Sequence, residues 1–191
     1  LIAEADPDAL RNCFGHRLQF GTAGIRGRMG PGPGQVNRAL IRQVTAGFGR
    51  YLLEQAPTNA DRGVVVGYDG RRNSKAFAED AAAVLATLGI TVHLFETVVA
   101  TPVLAHAVPF LGAAGGVMVT ASHNPPADNG YKVYWDNGAQ IIPPHDAGIS
   151  GCIDAVGSPA AVSVEPLAAL TEAGTVRGVP PAAWDAYLAD V

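Results

Sequence analysis

The polar stretch that begins at Ser122 carries side chains whose types suit catalysis. It follows the apolar run Val117 to Ala121, which predicts a buried strand, and it continues with His123 and Asn124. Side chains that follow such a strand lie at its carboxyl end, where open α/β sheets bind their ligands. A serine in this position can act as a nucleophile or as the carrier of a phosphoryl group.

Serine hydrolase chemistry is the weaker interpretation of this stretch. Hydrolases of the α/β type present their serine in a G-x-S-x-G turn, which the residues around Ser122 do not match. Adjacent residues of an extended strand point to opposite faces, so His123 is not obviously placed to take a proton from Ser122.

A second set of residues supplies what phosphoryl transfer needs, namely cations and backbone N–H groups around oxygens that gain charge. Arg26 and Lys132 can supply positive charge. Three glycines, Gly21, Gly24 and Gly27, allow the backbone to approach a phosphate closely. Their spacing agrees with phosphoryl transfer but does not by itself decide between that chemistry and a structural role.

Four stretches of the chain resemble, in the same order, motifs of the α-D-phosphohexomutase superfamily. The longest is similar to the family's phosphoserine loop and runs from Thr120 to Pro125, followed by Asn129-Gly130-Tyr131-Lys132. The other three are Phe20-Gly21-Thr22-Ala23-Gly24-Ile25-Arg26-Gly27, Gly67-Tyr68-Asp69-Gly70-Arg71 and Gly138-Ala139-Gln140-Ile141-Ile142-Pro143-Pro144. Together they cover most of the chain, from Arg17 to Ile149.

The resemblance implies a reversible shift of phosphate between the 1- and 6-positions of a hexose phosphate, through a bisphosphorylated sugar. Ser122 would carry the phosphate between turnovers. Arg26 and Lys132 would stabilise the moving phosphoryl group or assist proton transfer, and His123 and Asn124 would shape the loop and contact substrate. The residues implied in binding substrate or phosphate are Thr22, Gly24, Asn124 and Arg71.

The implied cofactors are Mg²⁺ and, as an activator, glucose 1,6-bisphosphate. In the family Mg²⁺ bridges the phosphoserine, here Ser122, and three aspartates of an Asp-Gly-Asp-type loop, which this sequence lacks. Asp69 is a single carboxylate, and we interpret it as ordering its own turn or pairing with Arg71 or Arg72. We therefore expect weak metal binding and no turnover from this chain alone.

Composition limits the classes of partner. The formal charge of −4 and the lack of any Lys/Arg block argue against nucleic acid. No apolar run approaches the ~20 residues of a membrane helix, and residues 1–8 lack the basic and apolar regions of a signal peptide. We predict a cytoplasmic protein without a membrane partner, which binds a sugar phosphate and the remaining domains of the same enzyme.

The elements that must position these residues alternate between helix and strand. Apolar residues recur every four positions from Leu40 to Leu52 and predict an amphipathic helix with Asn37 as its N-cap. Strands are predicted at Val64 to Val66 and at Thr91 to Phe95, and a helix capped by Ser74 is predicted between them. A further helix is predicted from Thr101, with Pro109 near its end.

The predicted fold class is a three-layer α/β/α sandwich with a mixed sheet. The sheet is predicted to be mixed because Asp136-Asn137-Gly138 is typical of a hairpin turn, with strands at Tyr131 to Trp135 and Gln140 to Ile142. Residues 1–191 are interpreted as the phosphoserine-bearing domain I of a larger mutase. Residues from about 155 to 191 are interpreted as a linker and helix that lead to the next domain.

Three functions stay open on the sequence. The first is a mutase of glucose or mannose phosphates. The second is the family branch that includes phosphopentomutases and sugar-bisphosphate synthases, which residues 130–135 and the run Ile141-Ile142-Pro143-Pro144 resemble. The third is a non-catalytic module that binds sugar phosphates, and an acidic metal loop downstream would argue against it.

Overall fold

The computed structural model describes residues 6–22 and 24–191, in which one six-stranded mixed sheet is covered by helices on both faces. The strands are β1 (Ile25–Arg28), β2 (Val64–Tyr68), β3 (Val92–Leu94), β4 (Gly115–Val119), β5 (Asp128–Trp135) and β6 (Val176–Gly178). Their spatial order is β1-β5-β4-β2-β3-β6. The predicted α/β sandwich with a mixed sheet is confirmed. The motif residue Ala23 and residues 1–5, on which the signal-peptide prediction partly rested, lie outside the described residues.

The sheet is parallel through β4, β2, β3 and β6, and β5 runs antiparallel between β4 and β1. Every residue of β2 and β4 is buried, as expected for central strands that helices cover on both faces. The carboxyl ends of β2 and β4 therefore meet at one edge of the sheet, where β5 begins.

Helices form the two outer layers. They are α1 (Pro7–Phe14), α2 (Arg38–Gln55), α3 (Asn59–Arg62), α4 (Ser74–Thr87), α5 (Thr101–Phe110), α6 (His145–Val156), α7 (Leu167–Glu172) and α8 (Ala182–Asp190), with a 3₁₀ helix at Pro159–Ala161. Apolar side chains of α2, α4 and α6 pack on one face, and those of α5 and α8 pack on the other. Among the described residues, no helix has both the length and the apolarity needed to cross a bilayer.

Helix α2 forms as its sequence pattern predicts. The Asn37 side chain accepts a hydrogen bond from the Leu40 N–H, which confirms the predicted N-cap. Phe48 and Leu52 are completely buried, and each such side chain contributes about 1.5–3 kcal/mol through the area it removes from water. Gly47 lets α6 approach closely, because a Cβ at that position would lie 2.6 Å from the Ile153 Cα.

Two local predictions differ from the structure. Ser74 does not cap α4, because Asn73 is the N-cap residue, with φ of 66°, and the Ser74 hydroxyl instead donates to Asp69 Oδ1 at 2.7 Å. The turn at residues 136–138 does reverse the chain, but residues 140–142 form only a single bridge, between Tyr134 and Gln140. Two prolines at 143 and 144 follow, and they have no N–H to extend a ladder.

The segment from about residue 155 to 191, which the sequence predicted to be a linker and one helix, also contains α7 and a strand, β6. Within it, β6 pairs in parallel with β3 and adds the sixth strand, and α8 packs on α5. Helix α5 ends at Phe110, one residue beyond Pro109, as predicted.

Candidate active site

Ser122 lies on an exposed loop that follows β4, and its backbone is left-handed, with φ of 58°. Its N–H donates to Thr120 Oγ1 at 2.9 Å, and the Asn124 N–H donates to the Ala121 carbonyl at 3.1 Å. A left-handed residue other than glycine costs about 1–2 kcal/mol, so the hydrogen bonds around the loop must hold this conformation. Such strain is concentrated at functional sites.

His123 stands close to the serine hydroxyl, with 3.4 Å between Ser122 Oγ and His123 Nδ1. The prediction that the two side chains point to opposite faces is therefore wrong. It assumed an extended chain, whereas the positive φ of Ser122 turns the backbone between the two residues. At 3.4 Å this is a weak hydrogen bond, which a small movement of the loop would strengthen or break.

Arg26 and Lys132 lie on the same face of the sheet. Arg26 pairs with Gly130, and Lys132 is the next residue of β5 on that face, so the two cations are diagonal neighbours. Lys132 pairs on its other side with Met118, close to the end of β4. The register thus brings both predicted cations beside the strand that leads to Ser122.

Gly130 allows β1 and the end of β4 to lie close to β5 on its two sides. A Cβ there would lie 2.6 Å from the Ile25 carbonyl oxygen and 2.7 Å from that of Thr120. Only glycine therefore fits at this position between the two neighbouring strands, in agreement with its place in the matched motif.

The loop that carries Thr22 and Gly24 lies against β5. Gly24 has φ of 73°, and a Cβ on it would lie 2.0 Å from the Tyr131 carbonyl oxygen. Gly21 and Gly24 exchange two backbone hydrogen bonds, and the Thr22 carbonyl accepts a third from Gln140 Nε2 at 2.6 Å. Sequence reasoning placed Gln140 in a matched motif but gave it no function.

Arg71 uses its side chain on the backbone of the serine loop. Nη1 donates to the carbonyls of Pro125 at 2.9 Å and Asp128 at 3.3 Å. Nη2 donates to those of Ser122 at 2.7 Å and Asn124 at 2.8 Å. All four terminal N–H groups are thus engaged. The role in binding substrate or phosphate stays a prediction for Arg71, as it does for Thr22, Gly24 and Asn124.

Asp69 forms the ion pair that we expected with Arg71. Its Oδ2 lies 3.2 Å from Arg71 Nε, and its Oδ1 accepts from the Arg71 N–H at 3.0 Å. The interpretation that Asp69 orders its own turn agrees with these contacts. Residues 6–22 and 24–191 contain no group of three or more His, Cys, Asp or Glu side chains that could hold a metal ion.

Two further side chains, those of Tyr131 and Asn124, lie at this end of the sheet. Tyr131 is completely buried, and that burial raises the pKa of its phenol well above the ordinary value. The Asn124 amide donates to Asp128 Oδ2 at 2.8 Å and joins the two ends of the serine loop. The net result is a rigid loop whose exposed side carries the hydroxyl of Ser122 and the ring of His123.

Comparison with known proteins identifies this arrangement. The family model described as phosphoglucomutase/phosphomannomutase, alpha/beta/alpha domain I, matches residues 17–159. The phosphopentomutase of Homo sapiens is 49% identical over an alignment of 160 residues, which covers 81% of this chain and 26% of that protein. The glucose 1,6-bisphosphate synthase of Mus musculus is 46% identical over an alignment of 151 residues, which covers 76% of this chain and 24% of that protein.

Solved structures agree with these relatives. The crystal structure of a phosphoglucomutase/phosphomannomutase family protein from Burkholderia thailandensis has a TM-score of 0.63 and 25% identity, covering 85% of this chain and 33% of that one. The fold and the family match together define an α/β/α domain I of the phosphoglucomutase/phosphomannomutase kind. The chain belongs to the phosphoglucomutase/phosphomannomutase family, and it spans about a quarter of the length of the curated relatives that it matches.

Proposed function

We propose that this chain is the phosphoserine-bearing domain of a larger phosphosugar mutase, with Ser122 as the phosphoryl carrier. The observation that carries the proposal is the left-handed, exposed Ser122 at the carboxyl end of β4, with Arg26 and Lys132 on the adjoining sheet face. Membership of the family and the relatives named as mutases support it. A cytoplasmic location and partner domains in the same protein are further parts of the proposal.

The proposed reaction is a phosphoryl transfer from Ser122 to a sugar. A hydroxyl oxygen of the sugar monophosphate attacks the phosphorus of phosphorylated Ser122 and passes its proton to a base, while the bond between phosphorus and Ser122 Oγ breaks and this oxygen takes up a proton. The bisphosphorylated sugar then returns its other phosphate to Ser122 by the reverse exchange. Arg26 and Lys132 lower the barrier by neutralising charge on the transferred group.

Mg²⁺ remains part of the proposal, but the described residues do not form a site for it. Of this chain's side chains, only a phosphorylated Ser122 is proposed as a ligand. The carboxylates that complete such a site would have to come from another part of the protein. Asp69 is unsuited to the purpose because both its oxygens already accept hydrogen bonds within the loop network.

The substrate is the finer part of the proposal. The motifs favour a phosphosugar mutase in general, and a hexose phosphate of glucose or mannose is the first candidate. The identities of 49% and 46% to proteins named phosphopentomutase and glucose 1,6-bisphosphate synthase support their branch of the family as the second.

The test is phosphopeptide mapping of the full-length protein after incubation with glucose 1,6-bisphosphate and Mg²⁺. We expect phosphate on Ser122 alone, and none in the Ser122→Ala variant. A folded protein whose Ser122 stays unlabelled would contradict the mutase mechanism and support a non-catalytic module that binds sugar phosphates.

A kinetic comparison then separates the substrates. Initial rates are measured with glucose 1-phosphate, mannose 1-phosphate and a pentose 1-phosphate at equal concentrations. A higher kcat/KM for the pentose would place the protein in the pentomutase branch. Net accumulation of glucose 1,6-bisphosphate from a phosphoryl donor would instead identify a synthase.

A further inference from the structure

We propose that Arg71 is a positioning residue, which holds the serine loop in its left-handed conformation and directs the His123 N–H outward, and that it does not bind the transferred phosphate. This inference deepens the proposed function and rests on it for its kinetic consequence. Its structural part concerns the loop alone and can be tested separately.

The first argument is the direction of the carbonyl groups. Four loop carbonyls converge on the two terminal nitrogens of the Arg71 guanidinium, and they belong to residues 122, 124, 125 and 128. An arginine has two N–H groups on each of these nitrogens, so none is left for a phosphate. Arg71 is also mostly buried, with 16% of its side chain exposed.

The second argument is a relay that connects this guanidinium to the Ser122 backbone. Asp69 pairs with Arg71 Nε, and its Oδ2 also accepts from the Thr120 hydroxyl at 2.7 Å. The oxygen of that hydroxyl in turn accepts from the Ser122 N–H at 2.9 Å. Both the carbonyl and the N–H of the strained residue are therefore held by the Asp69–Arg71 pair, one directly and one through Thr120.

The relay is anchored to the sheet and to α4. Asp69 Oδ1 accepts from the Ser74 hydroxyl, whose oxygen accepts from Asn129 Nδ2 at 3.0 Å. The Asn129 side chain is buried and its Oδ1 accepts from the Gly130 N–H at 2.8 Å. The ends of β2 and β4, the start of β5 and the start of α4 thus meet in one hydrogen-bonded network, which gives the loop a rigid base.

The third argument concerns the peptide bond between Ser122 and His123. This bond is trans, so its N–H points away from its C=O, and the C=O is directed at Arg71. The described part of the chain offers the His123 N–H no hydrogen-bond partner. That N–H is therefore directed away from the guanidinium, on the side where a phosphoryl oxygen carried by Ser122 can accept it.

The discriminating variant is Arg71→Lys in the full-length protein, with Arg72→Lys as the matched control. Lysine keeps the positive charge but cannot hold four carbonyls in a planar fork.

We expect amide hydrogen exchange across residues 120–128 of the Arg71→Lys variant to accelerate by about tenfold or more. We expect the rate of phosphate transfer from Ser122 to fall on the order of 100-fold, because the reacting atoms are misplaced. The KM for sugar phosphate should stay within about threefold of its original value, because the lost contacts are to the loop. Arg72→Lys should change none of the three.

A second pair of variants tests the relay without touching Arg71. Thr120→Val removes the hydroxyl at nearly constant shape and should accelerate exchange at the Ser122 N–H, whereas Thr120→Ser keeps the hydroxyl and should retain slow exchange. Exchange unchanged in both Arg71→Lys and Thr120→Val would overturn the inference. So would accelerated exchange with an unchanged transfer rate, or a selective rise in KM, which would identify Arg71 as a phosphate ligand.

The two proposals fail in different ways. If Ser122 of the unaltered protein is never phosphorylated, the mutase proposal falls, while the exchange measurements still decide whether Arg71 holds the loop. If phosphorylation occurs but Arg71→Lys and Thr120→Val both leave exchange unaltered, only the present inference falls.

Discussion

Gly24 is a residue at which the glycine-rich loop lies directly against the sheet. Its left-handed φ of 73° and its approach to the Tyr131 carbonyl both require the absence of a Cβ. The loop can therefore lie flat against β5, next to Arg26. The same contact makes Gly24 the most sensitive position of that loop.

Gly24→Ala should destabilise the protein by about 2–4 kcal/mol, because it adds left-handed strain to a clash with backbone. Urea denaturation followed by circular dichroism measures the loss. Gly21→Ala is the matched control, since a Cβ there meets no atom within 4 Å among the described residues beyond its chain neighbours, and the backbone is not left-handed. That control should change stability by less than about 0.5 kcal/mol. Equal effects of the two variants would mean that the loop does not lie against β5.

At the scale of elements, α2 and α4 are joined by one buried carboxylate. Asp80 is 3% exposed, and it accepts from Arg38 Nε at 2.6 Å and from Arg42 Nη2 at 2.7 Å. Both arginines lie on α2, so the carboxylate connects two successive turns of that helix to its neighbour. Charge-assisted hydrogen bonds of this kind fix the orientation of two helices more sharply than apolar packing does.

Asp80→Asn should cost about 1–3 kcal/mol of stability, because it leaves two guanidinium groups without their charged acceptor. Thermal or urea unfolding gives the value. Glu79→Gln provides the comparison, because Glu79 is next to Asp80 in the sequence and pairs with Lys75 on the surface of α4. A loss for Glu79→Gln as large as that for Asp80→Asn would show that net charge, and not the link between helices, is what matters.

Elements with strong local signals could be predicted from the sequence, and contacts between distant residues could not. The apolar runs of β2 and β4 and the Asn37 cap depend on neighbouring residues, and these predictions are confirmed. Ser74 was predicted as a cap because its type suits one, but its actual partner depends on Asp69 and on Asn129, 55 positions away. The carbonyls that Arg71 binds are 51 to 57 positions distant, and no spacing rule indicates them.

The backbone conformation at Ser122 is a second feature that could not be predicted from the sequence. Sequence reasoning placed the serine correctly after β4, because an apolar run followed by polar residues indicates the end of a strand. It then assumed an extended backbone for residues 122 and 123. The left-handed turn depends on tertiary hydrogen bonds to Arg71 and Thr120, which a local pattern does not contain.

At the scale of the whole molecule, separate apolar clusters lie on the two faces of the sheet, and the described residues hold only some of the groups that the proposed reaction needs. Apolar clusters cover both faces of one sheet, and β6 completes that sheet near the end of the chain. The residues proposed for phosphoryl transfer all lie at one end of the sheet. No metal-binding cluster accompanies them in residues 6–22 or 24–191.

The isolated chain should therefore unfold in one cooperative transition and show no mutase turnover. Coincident urea transitions by fluorescence and circular dichroism test the first part. A coupled assay with Mg²⁺ and glucose 1,6-bisphosphate tests the second, with the Ser122→Ala chain as the background. Turnover above that background would show that one domain suffices for the reaction.

The left-handed backbone at Ser122 also restricts how this position can diverge. Threonine offers the same hydroxyl chemistry, but a β-branched side chain is strongly disfavoured at φ of 58°. Threonine is therefore a poor replacement for Ser122. Glycine and asparagine tolerate the backbone and lack the hydroxyl. We expect lineages that lose the activity to pass first through these two residues, which leaves a well-folded pseudoenzyme whose loop still has the shape of an active one.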